Sequence, residues 1–175
     1  MNRRRGGRFA IRPAAAFRTE RRYVDGTNVL QTDFTTDKGR LRVTDLMPIP
    51  RGDRPRMEPE RELLRVVEGL EGQVEVEVVF QPRFDYGRAE ARLVCRGGLG
   101  WSCEHRGEVL LLGSEARLAP VPGGDALGGR MFVRAGERRR FSLAYAMRDM
   151  LVVPPLGPAA DDRLARTVDT AALGR

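Results

Sequence analysis

From Gln73 to Val78 the chain alternates without a break. Val74, Val76, Val78 and Phe80 fall on one side of an extended backbone; Gln73, Glu75 and Glu77 fall on the other. Period two is the mark of a half-buried strand, whereas a helix would scatter those valines around its surface. The same pattern recurs along the chain, punctuated by glycine and proline. Thr27 to Phe34 predicts a strand, Asp37-Lys38-Gly39 a tight turn, and Leu41 and Val43 a returning strand. Pro48 to Pro59, with four prolines, predicts a loop. Glu62 to Glu68 predicts a buried strand, and Gly69-Leu70-Glu71-Gly72 a turn into the valine strand. Ala91–Cys95 and Trp101–His105 predict a hairpin around Gly97-Gly98-Leu99-Gly100. Val109–Leu112, Arg130–Val133 and Arg138–Tyr145 supply three more strands. Only the end has helical spacing, with Asp161 and Asp162 in a first turn followed by Leu164 and Val168. Many short strands separated by turns predict an all-β fold, an antiparallel β-sandwich with a short C-terminal helix.

Charge then divides the chain. Its 175 residues carry 31 Lys+Arg against 24 Asp+Glu, a formal +7. Residues 1–22 hold eight arginines and one acid, Glu20, so the other 153 residues are neutral. The expected organisation is a basic N-terminal arm over 1–22, a sandwich over 23–157 and a helical tail over 158–175. An arginine-rich arm admits nucleic acid or an acidic surface as partner, but Phe9 and Phe17 are its only aromatics for stacking on bases. Lys38 is the only lysine, so part of the arginine content reflects biased residue usage. A 41% hydrophobic content supports a core and argues against disorder. No apolar run is long enough to span a bilayer, and no apolar stretch follows the N-terminal charges. A soluble cytoplasmic product without disulfides is expected.

Few residues invite chemistry. Cys95, Cys103 and His105 form the one soft-ligand cluster. A four-residue Gly97–Gly100 loop would pair Arg96 with Trp101 and Val94 with Cys103. The two thiols would then point to opposite faces, which disfavours both a disulfide and a metal site. No metal and no cofactor is expected. Glu75 and Glu77 share a face, but outward glutamates on an alternating strand are most simply solvated. Trp101, Tyr86 and Tyr23 could stack on sugar rings, although aromatics in small β-domains more often pack.

Longer stretches resemble a known family. Arg22-Tyr23-Val24-Asp25-Gly26-Thr27-Asn28-Val29-Leu30 precedes Phe34, Gly39 to Val43, and Thr44-Asp45-Leu46-Met47-Pro48. Leu64-Arg65-Val66-Val67-Glu68-Gly69-Leu70 follows, and then Pro82-Arg83-Phe84-Asp85-Tyr86-Gly87-Arg88, the most distinctive piece. In this order and spacing they resemble the N-terminal domain of the bacterial trehalase- and glucoamylase-like proteins of glycoside hydrolase family fifteen. The likeness runs from about Arg8 to Asp169 and thins after Trp101. It implies a supersandwich-like β-domain that packs on a separate toroid of twelve helices holding both catalytic glutamates, and inverting hydrolysis of α-glucosides there.

Two departures shape the expectation. The family's opening Asp-Gly-Ser-Ile-Asp-Trp segment has no counterpart. Arg166-Thr167-Val168-Asp169 resembles the helix leading toward the toroid, which would need on the order of 200 further residues. No catalytic glutamate therefore maps onto this chain. The expectation is a non-catalytic domain that packs on a helical catalytic partner or on a second copy. Tyr23, Arg83, Asp85, Tyr86 and Trp101 are the candidate carbohydrate or partner contacts.

Overall fold

The computed structural model describes residues 6–48, 59, 61–89, 91–147 and 152–173. The loop expected over Pro48 to Pro59 lies almost wholly outside them. The strands are β1 (Arg8–Pro13), β2 (Arg18–Tyr23), β3 (Leu30–Thr36), β4 (Gly39–Leu46), β5 (Glu62–Gln81), β6 (Val94–Cys95), β7 (Trp101–His105), β8 (Glu108–Ser114), β9 (Ala119–Pro120), β10 (Leu127–Arg134) and β11 (Arg138–Met147). One helix, α1 (Pro158–Leu173), closes the chain. The fold is an all-β sandwich, and every strand pairing is antiparallel.

The expected turn at Gly69–Gly72 does not form, because β5 runs through it as one strand of 20 residues. Its first half pairs with β4 and β11 inside the large sheet, ordered β2-β3-β4-β5-β11-β8-β7-β6. Its second half pairs with β1 and β10, and β9 extends that smaller sheet. A hairpin would require the two halves to pair with each other, but each has two other neighbours.

The glycines serve a bend instead. Arg40 pairs with Glu71 but Leu41 pairs with Gly69, so Leu70 is the extra residue of a β-bulge. The bulge shifts which side chains face inward. Val67 enters the core before it, and Val74, Val76, Val78 and Phe80 enter after it. At Gly69 the backbones touch, since a Cβ there would stand 2.0 Å from the Arg134 carbonyl oxygen. Gly72 sits at φ +61°, where glycine has no steric cost. The bend is stitched to the β10–β11 turn. Gly69 N–H donates to the Glu137 carbonyl at 3.0 Å, and Gly136 N–H donates to the Gly69 carbonyl at 2.9 Å.

From Arg8 onward, the arm expected over 1–22 forms two strands of the sandwich, the second ending at Tyr23. On β1 the inward residues are Phe9 and Ile11. Phe9 packs edge-on against Phe80 of its own sheet at 5.5 Å and Phe141 of the other at 6.1 Å. Arg65 lies over the Phe9 ring at 4.5 Å, donates to the Phe9 carbonyl and holds Asp45 at 2.8 and 3.2 Å. On β1, burial of alternate positions overrides the charge count, because every second residue of a strand can stay in water; β2 is exposed throughout and is held by its pairing with β3. Two of the five arginines of this stretch also find acids: Arg12 meets Glu77 at 3.1 Å, and Arg22 meets Asp33 at 3.2 Å.

α1 covers part of the outer face of the large sheet. Ala160 joins Val29, Leu46, Leu64 and Val66, with Leu164 and Val168 beside them. Beneath it Arg163 holds the buried Glu62 at 3.0 Å, and Ser142 Oγ donates to the same carboxylate at 2.6 Å.

Gly69→Ala should destabilise the domain by about 2–3 kcal/mol, because the new methyl meets backbone that cannot yield. Gly98→Ala, with nothing within 4 Å of its Cβ, should stay within about 0.5 kcal/mol of the parent. Denaturant midpoints compare the two; equal midpoints would contradict the backbone-contact account of the bend. Arg163→Met should lower stability by about 3–5 kcal/mol by leaving Glu62 buried alone, and adding Glu62→Leu should recover most of it.

Candidate functional site

The Arg-Phe-Asp-Tyr-Gly-Arg segment leaves the end of β5 and forms a tight left-handed turn. Asp85, Tyr86 and Gly87 have φ values of +47°, +54° and +84° in succession. Glycine and aspartate tolerate this region; tyrosine is uncommon there, at a cost of about 1 kcal/mol. Backbone hydrogen bonds hold the turn: Gly87 N–H to the Phe84 carbonyl at 2.9 Å and Arg88 N–H to the Asp85 carbonyl at 3.0 Å. Phe84 anchors it from below, buried with Ala91 and Cys103. The outcome is that Tyr86 projects into solvent, 99% exposed.

Arg83 fixes the approach to the turn. Its guanidinium grips the Asp125 carboxylate, to which Gln81 Nε2 also donates at 3.0 Å. Arg83, and then Gln81, hold the Asp125 carboxyl below the usual carboxylate range. Across from the turn, His105 stacks on Phe84 at 5.6 Å. Tyr145 Oη donates to Glu108 Oε1 at 2.9 Å, and that acceptor raises the tyrosine's pKa. Asp85, Tyr86, His105, Glu108 and Tyr145 line an open groove of ≈ 520 Å³ with Arg83.

The structure therefore brings Arg83, Asp85 and Tyr86 together and leaves the other two sequence candidates elsewhere. Tyr23 ends β2, at the opposite edge of the large sheet, where it lines a groove of ≈ 760 Å³ with Met47 and Thr167. Trp101 opens β7 and packs half-buried against the main core. Glu108 and Tyr145 were missed by sequence reasoning. The signal for Glu108 was present in Arg106-Gly107, whose φ values of +50° and +84° make the tight turn that pairs His105 with Glu108. Tyr145 carried no such signal, because its place depends on the distant pairing of β11 with β8.

Glu75 and Glu77 lie on the open face of the smaller sheet, opposite Arg130 at 3.7 Å and Arg12 at 3.1 Å. The expected cysteine register is corrected by one residue. The loop is five residues long, so Val94 pairs with Ser102 and Cys95 with Trp101. This puts Cys95 on the face that Cys103 shares with Trp101, and the opposite-face argument fails. Both thiols are free, one exposed and one buried. No group of three His, Cys, Asp or Glu is placed to hold a metal among the described residues. No described helix is long and apolar enough to cross a membrane.

Burial pushes the Cys103 thiol up to about 11, so it stays protonated at neutral pH. Iodoacetamide at pH 8 should therefore modify Cys95 alone in the native protein and both cysteines after unfolding. Mass spectrometry reads the count; rapid native labelling of Cys103 would refute its enclosure.

The family model described as trehalase-like, N-terminal, matches residues 1–103. No curated protein matches the chain. Among solved structures it is similar to one described as a kojibiose phosphorylase from the human microbiome, at 9% identity and a TM-score of 0.44. That alignment covers 94% of this chain and 25% of the other, so the chain spans about a quarter of that protein's length. With more than half of its residues matched by the family model, the chain belongs to the trehalase-like N-terminal domain family.

Proposed function

We propose that this domain serves a trehalase- or glucoamylase-like α-glucoside hydrolase as a non-catalytic sandwich that packs on a helical catalytic domain or on a second copy. The observation that carries the reading is the groove beside α1. Its floor is the segment Val24–Val29, closed by the Val24 N–H to Val29 carbonyl bond at 2.9 Å and by Thr27 Oγ1 donating to the Val24 carbonyl at 2.8 Å. On its rim Tyr23 and Met47 are 62% and 66% exposed. Tyrosine and methionine are enriched in protein interfaces, and large apolar side chains gathered at one groove mark a contact surface more often than lone ones do.

A second reading is favoured by the other groove. Asp85, Glu108 and Tyr145 beside the projecting Tyr86 offer hydrogen-bonding groups and an aromatic face, the combination a sugar ring needs. In that case the domain binds carbohydrate directly.

Three measurements separate the readings. The purified chain should show no turnover of trehalose or maltooligosaccharides; activity that survives purification overturns the non-catalytic role. Tyr23→Ala combined with Met47→Ser should weaken association with a helical catalytic domain of the family, or self-association seen by light scattering, by about tenfold or more; unchanged association overturns the contact surface. Calorimetric titration with trehalose and maltooligosaccharides tests the sugar reading, and an absence of heat at millimolar ligand removes it.

A further inference from the structure

Across most of the sandwich, arginines face carboxylates. Arg12 has Glu77, Arg42 has Asp33, Arg65 has Asp45, Arg138 has Glu68 and Arg140 has Asp161. Arg92, Arg96 and Arg106 are among the arginines without such a partner, and they stand together. They line one groove of ≈ 400 Å³ at the β6–β7 end of the large sheet. Among the described residues none of the three forms an ion pair. Glu104 lines the groove as well, without bonding to them.

The three guanidiniums come from separate pieces of backbone. Arg92 precedes β6, and Arg96 starts the loop between β6 and β7. Arg106 occupies the β7–β8 turn, held at φ +50° next to Gly107 at +84°. Arg96 is also oriented: its Nε donates to the Oγ of the buried Ser102 at 2.8 Å, which leaves the outer nitrogens directed away from that bond. Gathering like charges costs energy unless an anion completes the cluster. Three guanidiniums less Glu104 leave about two positive charges, and a phosphate monoester carries about −1.5 to −2 at neutral pH. The planar donor fork of arginine also fits the oxygens of such an anion two at a time. We infer that this groove binds a small phosphorylated ligand through Arg92, Arg96 and Arg106. The inference is independent of how the domain packs on a partner.

Calorimetric titration of the whole chain at low salt tests it, with inorganic phosphate and glucose 6-phosphate as probes and glucose as the uncharged control. Both phosphates should bind and glucose should not. Arg96→Gln and Arg106→Gln should each weaken phosphate binding about tenfold or more. Arg21→Gln, which removes the same charge from β2, should leave it unchanged. Tighter binding of the sugar phosphate assigns the groove to an organic phosphate; equal binding assigns it to free phosphate. No heat with either phosphate overturns the inference. So does equal weakening by Arg21→Gln, and so does retention on heparin without phosphate binding, which would mean a diffuse polyanion surface.

Discussion

Twenty residues of uninterrupted strand, Glu62 to Gln81, hydrogen-bond to two different pairs of neighbours. Nearly everything else follows from this sharing. A strand common to both sheets must bend between them, and bending brings its backbone against that of β10 and β4. Only glycine fits at Gly69 and Gly72, where a Cβ would lie 2.0 and 2.2 Å from carbonyl oxygens. The bulge at Leu70 then turns the apolar row toward the same core on both sides of the bend. Without it, the valines after Gly72 would face water and the glutamates between them would face Phe141 and Leu112. One extra residue thus converts two sheets into one sandwich.

The first half of β5 is buried on both faces, which explains why its alternation is blurred. Val67 looks into the sandwich, while Leu64 and Val66 look toward α1. Where α1 stops covering that outer face, charge takes over. Asp33 accepts from Arg42 at 2.6 and 2.9 Å, Glu68 accepts from Arg138 at 2.7 Å, and Arg140 reaches Asp161 on α1 at 2.5 Å. The first two pairs are directly opposed positions on neighbouring strands, where opposite charges help and like charges harm. Arg42 holds the Asp33 carboxyl below its ordinary range, and Arg140 does the same to Asp161. The helix is therefore seated by apolar packing, clamped by the buried Glu62–Arg163 pair and bordered by a charged ladder.

Legibility in the sequence tracks how local each cause is. The strand at Val74–Phe80, the Asp37-Lys38-Gly39 turn and the closing helix rest on neighbours within a few residues, and all three could be read directly. The first two strands could not. Arg8–Pro13 and Arg18–Tyr23 look like charged tail, and only their partners, Val76 to Gln81 and Leu30 to Thr35, reveal them as sheet. The glycines at 69 and 72 read as a turn in the sequence and serve a bend in the fold, since a turn and a bend ask for the same residue. At the candidate site the motif Arg83–Arg88 was legible as a unit. Its partners across the groove, His105, Glu108 and Tyr145, come from three strand ends whose meeting is a tertiary fact.

The placement of arginine shows what the net charge means. Read along the chain, the excess seems to belong to the first 22 residues. In three dimensions Arg12 and Arg22 are paired with Glu77 and Asp33, acids that lie 65 and 11 residues away. Those acids were counted as part of a neutral body, and Asp33 serves Arg42 as well; other arginines, in the first 22 residues and in the body alike, form no ion pair among the described residues. Arg92, Arg96 and Arg106 are such residues, and they stand together. A charge total divided by sequence position is therefore a poor guide to where an anion would be attracted in a β-sandwich. Long-range pairing redistributes the compensation, and the field that remains belongs to the side chains the sheets leave without a partner.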